Sequence, residues 1–360
     1  MARRKNNYIF APEPNRRKGP GCSILFMAIL LSFLTLFILS NITMNQKVKL
    51  ETARIPVMSL DKAFENFTVL HISDLHGAEE KAALDTWRTL LYGKRFDAVV
   101  LSGDMVGNNN HFTPLITLIQ NLQTIKPGVP IYIVAGDEDP APLLSSFRGT
   151  PEAYADWVLA VQNAGAIYLD APVSQTMGRG VIWFIPESLY NVDAAGMINS
   201  LTHQKEEMEA RGLPYEAEGG ASYRALLARI DAMERTLAAT KLITPNDLQI
   251  AVTHVPLEVG YVRTALEWAS QEQPLSIRRV NLVLAGHYTG GQWRFFQFGP
   301  IFIPEQGWFP GDEGFVGLQR MNSVNQYISA GLEASNLYPM PGRLLNPPSA
   351  ALLTFTARIE

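Results

Sequence analysis

Cysteine is almost absent from this chain, whose 360 residues include only Cys22. Intramolecular disulfides and cysteine-based metal clusters are therefore excluded, so any metal site must use histidine, aspartate, glutamate or asparagine. The sequence also lacks a G-x-G-x-x-G turn after a strand and a G-x-x-x-x-G-K-[ST] loop. These two absences argue against a nucleotide-binding α/β protein.

Basic residues are scarce outside the N-terminal segment. Residues 1–21 hold six of the 30 basic residues and one acidic residue, so the remainder has 24 basic and 33 acidic residues, a formal charge of −9. Nucleic-acid binding needs a basic surface, and nucleic acid is therefore not expected as a partner. Because 47% of the chain is hydrophobic, it can bury a sizeable core.

One long apolar run follows the basic segment, and its centre is "CSILFMAILLSFLTLFIL" at residues 22–39. A buried core helix would show a polar face, and a cleaved signal peptide would end in small residues; this segment shows neither. We expect an uncleaved, single-pass transmembrane helix at residues 22–40. The basic flank predicts a cytoplasmic tail at residues 1–21, with the C-terminal body outside the cell membrane.

Residues 41–66 are predicted to form a tether and an edge strand. A domain is expected over residues 67–360. Apolar runs of strand length alternate there with helical patterns, at 67–73, 97–102, 130–135, 248–254 and 280–287. This alternation predicts parallel strands joined by right-handed crossovers. The C-terminal quarter contains shorter strand-like pieces, which predict a second, more antiparallel sheet packed on the first. Residues 194–240 are typical of an inserted helical hairpin, serving as a lid, a docking arm or simple cover for the sheet.

Acidic residues and histidines follow five of the predicted strands. They are Asp74 and His76, then Asp104, then Asp137, Glu138 and Asp139, then His254, and finally His287. Ligands bind α/β sheets at the carboxyl ends of the strands, so we expect these side chains to converge. Such a set suits a borderline divalent cation such as Mn, Fe or Zn.

These residues resemble the motifs of the calcineurin-like metallophosphoesterases, which run DxH, GD, GNH, H and GHxH. The matching segments, in order over residues 67–292, are Asp74-Leu75-His76, Gly103-Asp104, Gly136-Asp137-Glu138, His254 and Gly286-His287-Tyr288-Thr289. The "GGQ" after the last motif and the closing "NPPSAALLTF" resemble the membrane-anchored bacterial branch. The resemblance implies a four-layer α/β fold, in which helices flank a sandwich of two β-sheets, and hydrolysis of phosphate mono- or diesters.

The resemblance also implies a role for each motif residue. Asp74 and His76 would hold the first of two metal ions, and Asp104 would bridge both ions through its two carboxylate oxygens. The second ion would be completed by Asp137, His254 and His287. Two such ions activate a hydroxide and clamp the phosphate.

Three positions depart from the family pattern. Asp137 replaces asparagine, which preserves a ligand, whereas Thr289 replaces a histidine ligand and weakens the first site. Glu138 replaces the histidine that protonates the leaving group, and it can act as that acid only if its pKa is raised toward neutrality. A replacement ligand could come from Glu138, Tyr288 or His71, although the strand position of His71 predicts a core residue. His111 and His203 are expected on the loop after Asp104 and on the helical insertion.

Two functions therefore remain open. The first is a membrane-anchored phosphoesterase acting on a phosphorylated small molecule or a lipid-linked phosphate. The second is a catalytically degenerate member of the fold that serves as a binding or regulatory module. The sequence does not determine the oligomeric state.

Overall fold

The computed structural model describes residues 21–107, 110–144, 152–215, 217–269, 273–295, 298–311 and 314–357. The chain divides into two units, Met1–Met44 and Asn45–Glu360.

An apolar helix dominates the first unit: α1 runs from Gly21 to Gln46, and its segment Ser23–Gln46 is long and apolar enough to cross a membrane. The hydroxyls of Ser32, Thr35 and Thr43 each donate to the backbone carbonyl four residues earlier. These bonds satisfy the three hydroxyl groups within the helix itself.

The second unit contains sixteen strands and seven helices among the described residues. The strands are β1 (Lys49–Pro56), β2 (Thr68–Ile72), β3 (Ala98–Ser102), β4 (Ile131–Val134), β5 (Ile167–Tyr168), β6 (Val173–Met177), β7 (Gly180–Pro186), β8 (Leu248–Val252), β9 (Leu282–Ala285), β10 (Arg294–Phe295), β11 (Gly299–Pro300), β12 (Phe302–Ile303), β13 (Gly307–Trp308), β14 (Gly317–Met321), β15 (Val324–Ile328) and β16 (Ser349–Thr356). The helices are α2 (Glu79–Ala82), α3 (Leu84–Leu90), α4 (Thr113–Ile125), α5 (Asp156–Asn163), α6 (Ala194–Ala210), α7 (Ala217–Thr240) and α8 (Val259–Trp268).

Two six-stranded sheets form the frame of this unit. The first has the order β1-β16-β2-β3-β4-β5, and the second has the order β14-β15-β9-β8-β7-β6. Strands β2, β3 and β4 are parallel to one another, as are β7, β8 and β9. Their carboxyl ends therefore lie along one edge of each sheet.

Alternate side chains of the strands build the layers. Val69 and Val100 of the first sheet pack between the sheets with Ile250 and Leu284 of the second. Residues of the opposite parity, such as Leu70 and Val99, pack outward against α3 and α4. The other outer face packs against α7 and α8. The predicted mixed α/β fold, with two sheets flanked by helices, is thus confirmed.

Helix α4 illustrates how the sequence dictates an outer layer. Pro114 lies in its first turn, where no backbone donor is needed. Leu115, Leu118, Ile119 and Leu122 are fully buried at the spacing of one helix face. The helix ends at Ile125, shortly before Pro127.

The prediction for the second sheet is wrong in part. The C-terminal quarter does not form the second sheet by itself, because β8 and β9 lie there beside β14 and β15, while the last strand, β16, lies in the first sheet between β1 and β2. The hairpin β6–β7, which turns at Gly178 with a positive φ of 60°, is not evident from the sequence pattern. Strand partners hundreds of residues apart are selected by tertiary packing, which periodicity alone does not report.

The helical segment contains the antiparallel helices α6 and α7. Asp193 begins α6 as its N-cap, because its carboxylate accepts a 3.0 Å hydrogen bond from Gly196 N. Leu201 and Ala232 are buried, one on each helix, whereas most of the remaining α6 surface faces solvent.

Candidate metal centre

The carboxyl ends of β2, β3, β4, β8 and β9 bring six predicted ligands together. Two clusters result, each with ligand atoms within 4.8 Å of one another. The first contains Asp74, His76 and Asp104, and the second contains Asp137, His254 and His287. The environment of the donor atoms indicates whether divalent cations fit these clusters.

The loops that carry these residues have unusual backbone conformations. Left-handed φ values occur at Asp74 (54°), His76 (46°), Asp104 (52°), His287 (71°) and Thr289 (43°). Such values are uncommon outside glycine and cluster at functional sites, where the surrounding fold holds them in place. The conformation directs side chains from successive strand ends into one cleft.

His254 is oriented to expose one nitrogen to both clusters. Its Nδ1 lies 2.8 Å from the carbonyl oxygen of Ser102, which can only accept, so Nδ1 carries the proton. Its Nε2 lies 3.0 Å from Asp104 Oδ2 and 2.9 Å from Asp137 Oδ1, without hydrogen-bond geometry to either. Burial lowers the pKa of the His254 ring, but the carboxylates of Asp104 and Asp137 outweigh this effect and raise that pKa well above its usual value.

In each of the other two histidines, one ring nitrogen lies near the carboxylate of a glutamate. Nε2 of His287 lies 3.4 Å from Glu305 Oε2, while its Nδ1 lies 3.1 Å from Asp137 Oδ1. Nδ1 of His76 lies 3.7 Å from Glu138 Oε2, while its buried Nε2 makes no hydrogen bond among the described residues. Metal-bound histidines commonly have such a carboxylate on the second nitrogen, which fixes the ring.

Asp104 links the two clusters through a single oxygen. Its Oδ1 accepts a 2.8 Å hydrogen bond from Glu138 N, and its buried Oδ2 has no hydrogen-bond donor among the described residues. Oδ2 is therefore the Asp104 oxygen that remains available as a ligand atom.

Buried ligand atoms without a hydrogen bond indicate whether divalent cations fit the two clusters. His76 Nε2, Asp104 Oδ2 and His254 Nε2 are all buried, and none of them makes a hydrogen bond within the described chain. Buried polar atoms normally form hydrogen bonds, so three neighbouring buried atoms without one indicate that a bound group completes the site. Asp74 is also fully buried, and burial raises the pKa of its carboxyl group. The Asp74 carboxylate already accepts hydrogen bonds from Ser73 Oγ and His287 N, whereas divalent cations would satisfy the three orphaned atoms, and the residues present therefore fit them.

The second cluster is the more accessible of the two. Asp137 exposes 41% of its side chain, whereas Asp74 and Asp104 are buried. Burial opposes ionisation of Asp137, but its contacts with His254 and His287 outweigh this effect and hold the pKa of its carboxyl well below the usual range. Ligands from solvent therefore meet the second cluster first.

Two of the three candidate replacement ligands, Tyr288 and His71, have other surroundings. Thr289 is fully buried, and its Oγ1 makes no hydrogen bond among the described residues. The Tyr288 ring lies in an apolar cluster with Ile303 and Phe315. His71 is a core residue, as predicted: it contacts Ser102 Oγ at 2.7 Å, and burial lowers its pKa to about 3.

The two remaining histidines lie outside both clusters. His111 Nε2 is 3.8 Å from Glu79 Oε1, and its side chain is partly exposed. His203 is 82% exposed on α6 and lies 3.6 Å from Glu206.

Glu138 is buried beside the first cluster. Its Oε2 accepts a 2.5 Å hydrogen bond from Ser335 Oγ and lies near His76, as described above. Its exposed fraction is 3%, so the carboxyl group faces the protein interior. This geometry favours support of His76 over contact with a solvent-facing leaving group.

A C-terminal loop that the sequence pattern does not reveal closes over the first cluster. Glu333 N donates to Asp74 O at 2.8 Å, and Ser335 contacts Glu138. Arg343 is buried and donates to the carbonyls of Ala330, Glu333 and Asn346. The sequence signal for this loop is weak, since no motif distinguishes Ser335 or Arg343 from ordinary loop residues.

Asp139, another residue of the third strand end, acts on the backbone. Its carboxylate accepts hydrogen bonds from Met105 N, Val106 N, Gly107 N and Gly136 N, at 2.6–3.3 Å. These bonds hold the loop after Asp104 against the loop before Asp137.

Replacing Asp139 with alanine should destabilise the protein by about 3 kcal/mol, because four backbone donors lose a charged acceptor. Thermal and urea unfolding of the full chain in detergent measure this change. Asp85→Ala provides the control, since the Asp85 side chain is 94% exposed. Equal stability of the two variants would contradict the proposed bonding.

Comparisons with known proteins agree with this description. The family model described as calcineurin-like phosphoesterase matches residues 67–288. A search of curated proteins found no match. Three of the similar solved structures illustrate the likeness. A phosphopantetheinyl hydrolase from Mycobacterium tuberculosis has 12% identity and a TM-score of 0.34, with 75% of this chain and 91% of that chain covered.

The other two structures are similarly distant. A dimetal phosphatase from Danio rerio has 14% identity and a TM-score of 0.34, covering 74% of this chain and 88% of its own. A purple acid phosphatase from yellow lupin (Lupinus luteus) has 13% identity and a TM-score of 0.33, covering 80% and 54%. The family assignment rests on the sequence match, which spans more than half of the chain. The chain belongs to the calcineurin-like phosphoesterase family.

Proposed function

We propose that this chain is a membrane-anchored, metal-dependent hydrolase of a phosphate mono- or diester. The observation that carries the proposal is the convergence of orphaned ligand atoms, His76 Nε2, Asp104 Oδ2 and His254 Nε2, at the strand ends of both sheets. In a fold that binds no metal, these three buried atoms would make no polar contact, which is energetically unfavourable.

Each cluster has a proposed role. Asp74, His76 and Asp104 would hold one cation; Asp137, His254 and His287 would hold the other, with Asp104 shared. Mn, Fe or Zn suits this donor set. Such cations, when bound, supply Lewis acidity toward a phosphoryl group and activate water. The protein's own contribution is to orient the three imidazoles and to keep Asp74 and Asp104 buried.

Glu138 has a different proposed role from the one that the resemblance implied. Its carboxylate lies 3.7 Å from His76 Nδ1 and accepts from Ser335. We therefore assign Glu138 to positioning of His76 rather than to protonation of the leaving group. Asp104 remains the central catalytic residue of the proposal, because it contacts both clusters.

The membrane assignment depends on α1 and on the charges before it. Six basic residues within 1–21 precede the apolar segment, and this bias supports a cytoplasmic N-terminal end. The domain at 67–360 would then lie outside the cytoplasm, beyond a tether and edge strand at 41–66. Its substrate would be a phosphorylated small molecule or a lipid-linked phosphate.

The experiment is turnover of chromogenic phosphate mono- and diesters by the detergent-purified full chain, after loading with Mn or Zn. We expect metal-dependent turnover that is lost on chelation and restored by the metal. Metal binding without turnover of any ester would instead favour the degenerate, regulatory alternative.

Replacing Thr289 with histidine should raise the affinity of the first site by roughly tenfold, about 1.4 kcal/mol. Imidazole is a better ligand than a hydroxyl, and histidine tolerates the left-handed φ of 43° found there. Calorimetric titration of the metal-free protein measures this change. Thr289→Ser keeps the hydroxyl and should bind as the natural chain does. Equal affinities for all three proteins would show that position 289 does not face the cation.

A further inference from the structure

A short hairpin lies directly against the second cluster. Its strands are β12 and β13, and its turn residue Glu305 contacts His287 Nε2 at 3.4 Å. Ile303 is fully buried with Tyr288, the neighbour of His287. The hairpin therefore has a fixed position beside the accessible metal ligands.

A row of neighbouring aromatic rings extends from Tyr338, beside the hairpin, to the protein surface. The Phe302 ring lies 6.0 Å from the Tyr338 ring and 5.2 Å from the Trp308 ring, and Trp308 lies 6.4 Å from Phe309. At the inner end, the Tyr338 hydroxyl donates to the carbonyl of Tyr288. At the outer end, Trp308 and Phe309 are 59% and 72% exposed.

The exposed end is close to the metal ligands. Trp308 lies three positions after Glu305 in the chain, a span of at most about 11 Å. Two adjacent, largely exposed aromatic side chains form an apolar patch, which marks an interaction site more often than single exposed residues do. A phosphate held at the second cluster would thus place its substituent within reach of Trp308.

The net charge of the site limits how much negative charge a bound phosphate group can carry. Five carboxylates surround the two clusters, Asp74, Asp104, Asp137, Glu138 and Glu305. Two divalent cations would bring four positive charges, so one negative charge remains. The guanidinium of the buried Arg343 is directed to backbone carbonyls. A singly charged phosphodiester suits this balance better than a polyphosphate.

We propose that the substrate is a lipid phosphodiester, with its alkyl chain lying on Trp308 and Phe309 while its phosphate lies at the metal clusters. This inference rests on the proposed function and specifies its substrate. Burial of apolar surface supplies the binding free energy of the alkyl chain. The apolar helix α1 is consistent with such a substrate, because it would keep the protein at a bilayer.

The test compares two p-nitrophenyl phosphodiesters, one with a methyl and one with a dodecyl substituent, below the micellar concentration of the dodecyl ester. The full chain in lipid nanodiscs should prefer the dodecyl ester through a lower KM. The double variant Trp308→Ser and Phe309→Ser should lower the dodecyl-to-methyl ratio of kcat/KM at least tenfold. Trp268→Ser is the control, since Trp268 is 85% exposed on α8 and should leave the ratio unchanged.

An unchanged ratio in the double variant, or an equal loss in Trp268→Ser, would overturn the proposal. Binding of dodecyl methylphosphonate, measured by calorimetry, separates this inference from the proposed hydrolysis. Tight binding that depends on Trp308 and Phe309, without turnover of either ester, would support the lipid site and refute hydrolysis. Turnover with no effect of the double variant on binding would refute the lipid site alone.

Discussion

Asparagine in place of Asp104 is expected to reduce phosphoester turnover on the order of a thousandfold, equivalent to about 4 kcal/mol in the activation free energy. The new amide can keep the hydrogen bond from Glu138 N by placing its oxygen at the Oδ1 position. Its NH2 group then occupies the Oδ2 position, where a donor replaces the orphaned acceptor. Because that position contacts both clusters, binding of each cation should weaken.

The Asp104→Asn variant is compared with Asp85→Asn, which removes an exposed carboxylate. Steady-state turnover and metal content are measured on both proteins at equal metal concentration. The unfolding temperature of metal-free Asp104→Asn should match that of the metal-free natural chain, since the fold-maintaining hydrogen bond is retained. Turnover within tenfold of the natural chain would contradict the shared-ligand role of Asp104.

Alanine in place of Gly136 is expected to lower the free energy of unfolding by about 3 kcal/mol and to remove metal binding. A Cβ atom at Gly136 would collide with Asp104 Oδ1 and with the backbone nitrogen of Asp104. Neither atom can move without a cost in free energy. Asp104 Oδ1 accepts a hydrogen bond from Glu138 N, and Asp104 N belongs to a loop with a strained backbone. The loops of the second and third strand ends must therefore separate.

Gly260 offers a matched control for this substitution. It lies in α8, and the position that a methyl group would occupy there is open space, so Gly260→Ala should leave stability unchanged or slightly improved. Urea unfolding in detergent and calorimetric metal titration measure the two properties separately. A Gly136→Ala protein with natural stability and metal content would contradict the close approach of the two loops.

Most of the candidate site could be predicted because its residues follow strands that are recognisable from their apolar runs. The strand ends of β2, β3 and β4 place Asp74, Asp104 and Asp137 at one edge through local pattern and the parallel rule alone. The layered α/β fold follows from the same alternation of strands and helices.

The unpredicted parts depend on contacts between distant segments. The position of β16 between β1 and β2 joins residues about 300 positions apart, and no periodicity reports such a partner. Glu305 and Ser335 are ordinary loop residues in the sequence, yet they contact His287 and Glu138. Their roles follow from the tertiary structure, which delivers a hairpin and a C-terminal loop to the strand ends.

The number of cations bound per chain tests the central claim most directly. Native mass spectrometry of the full chain, released from detergent after loading with Mn or Zn, measures that number. The two clusters predict two cations per chain, and the cation at the first cluster should be lost more readily because Thr289 stands there. A chain that binds no cation under these conditions, while retaining its fold, would contradict the account.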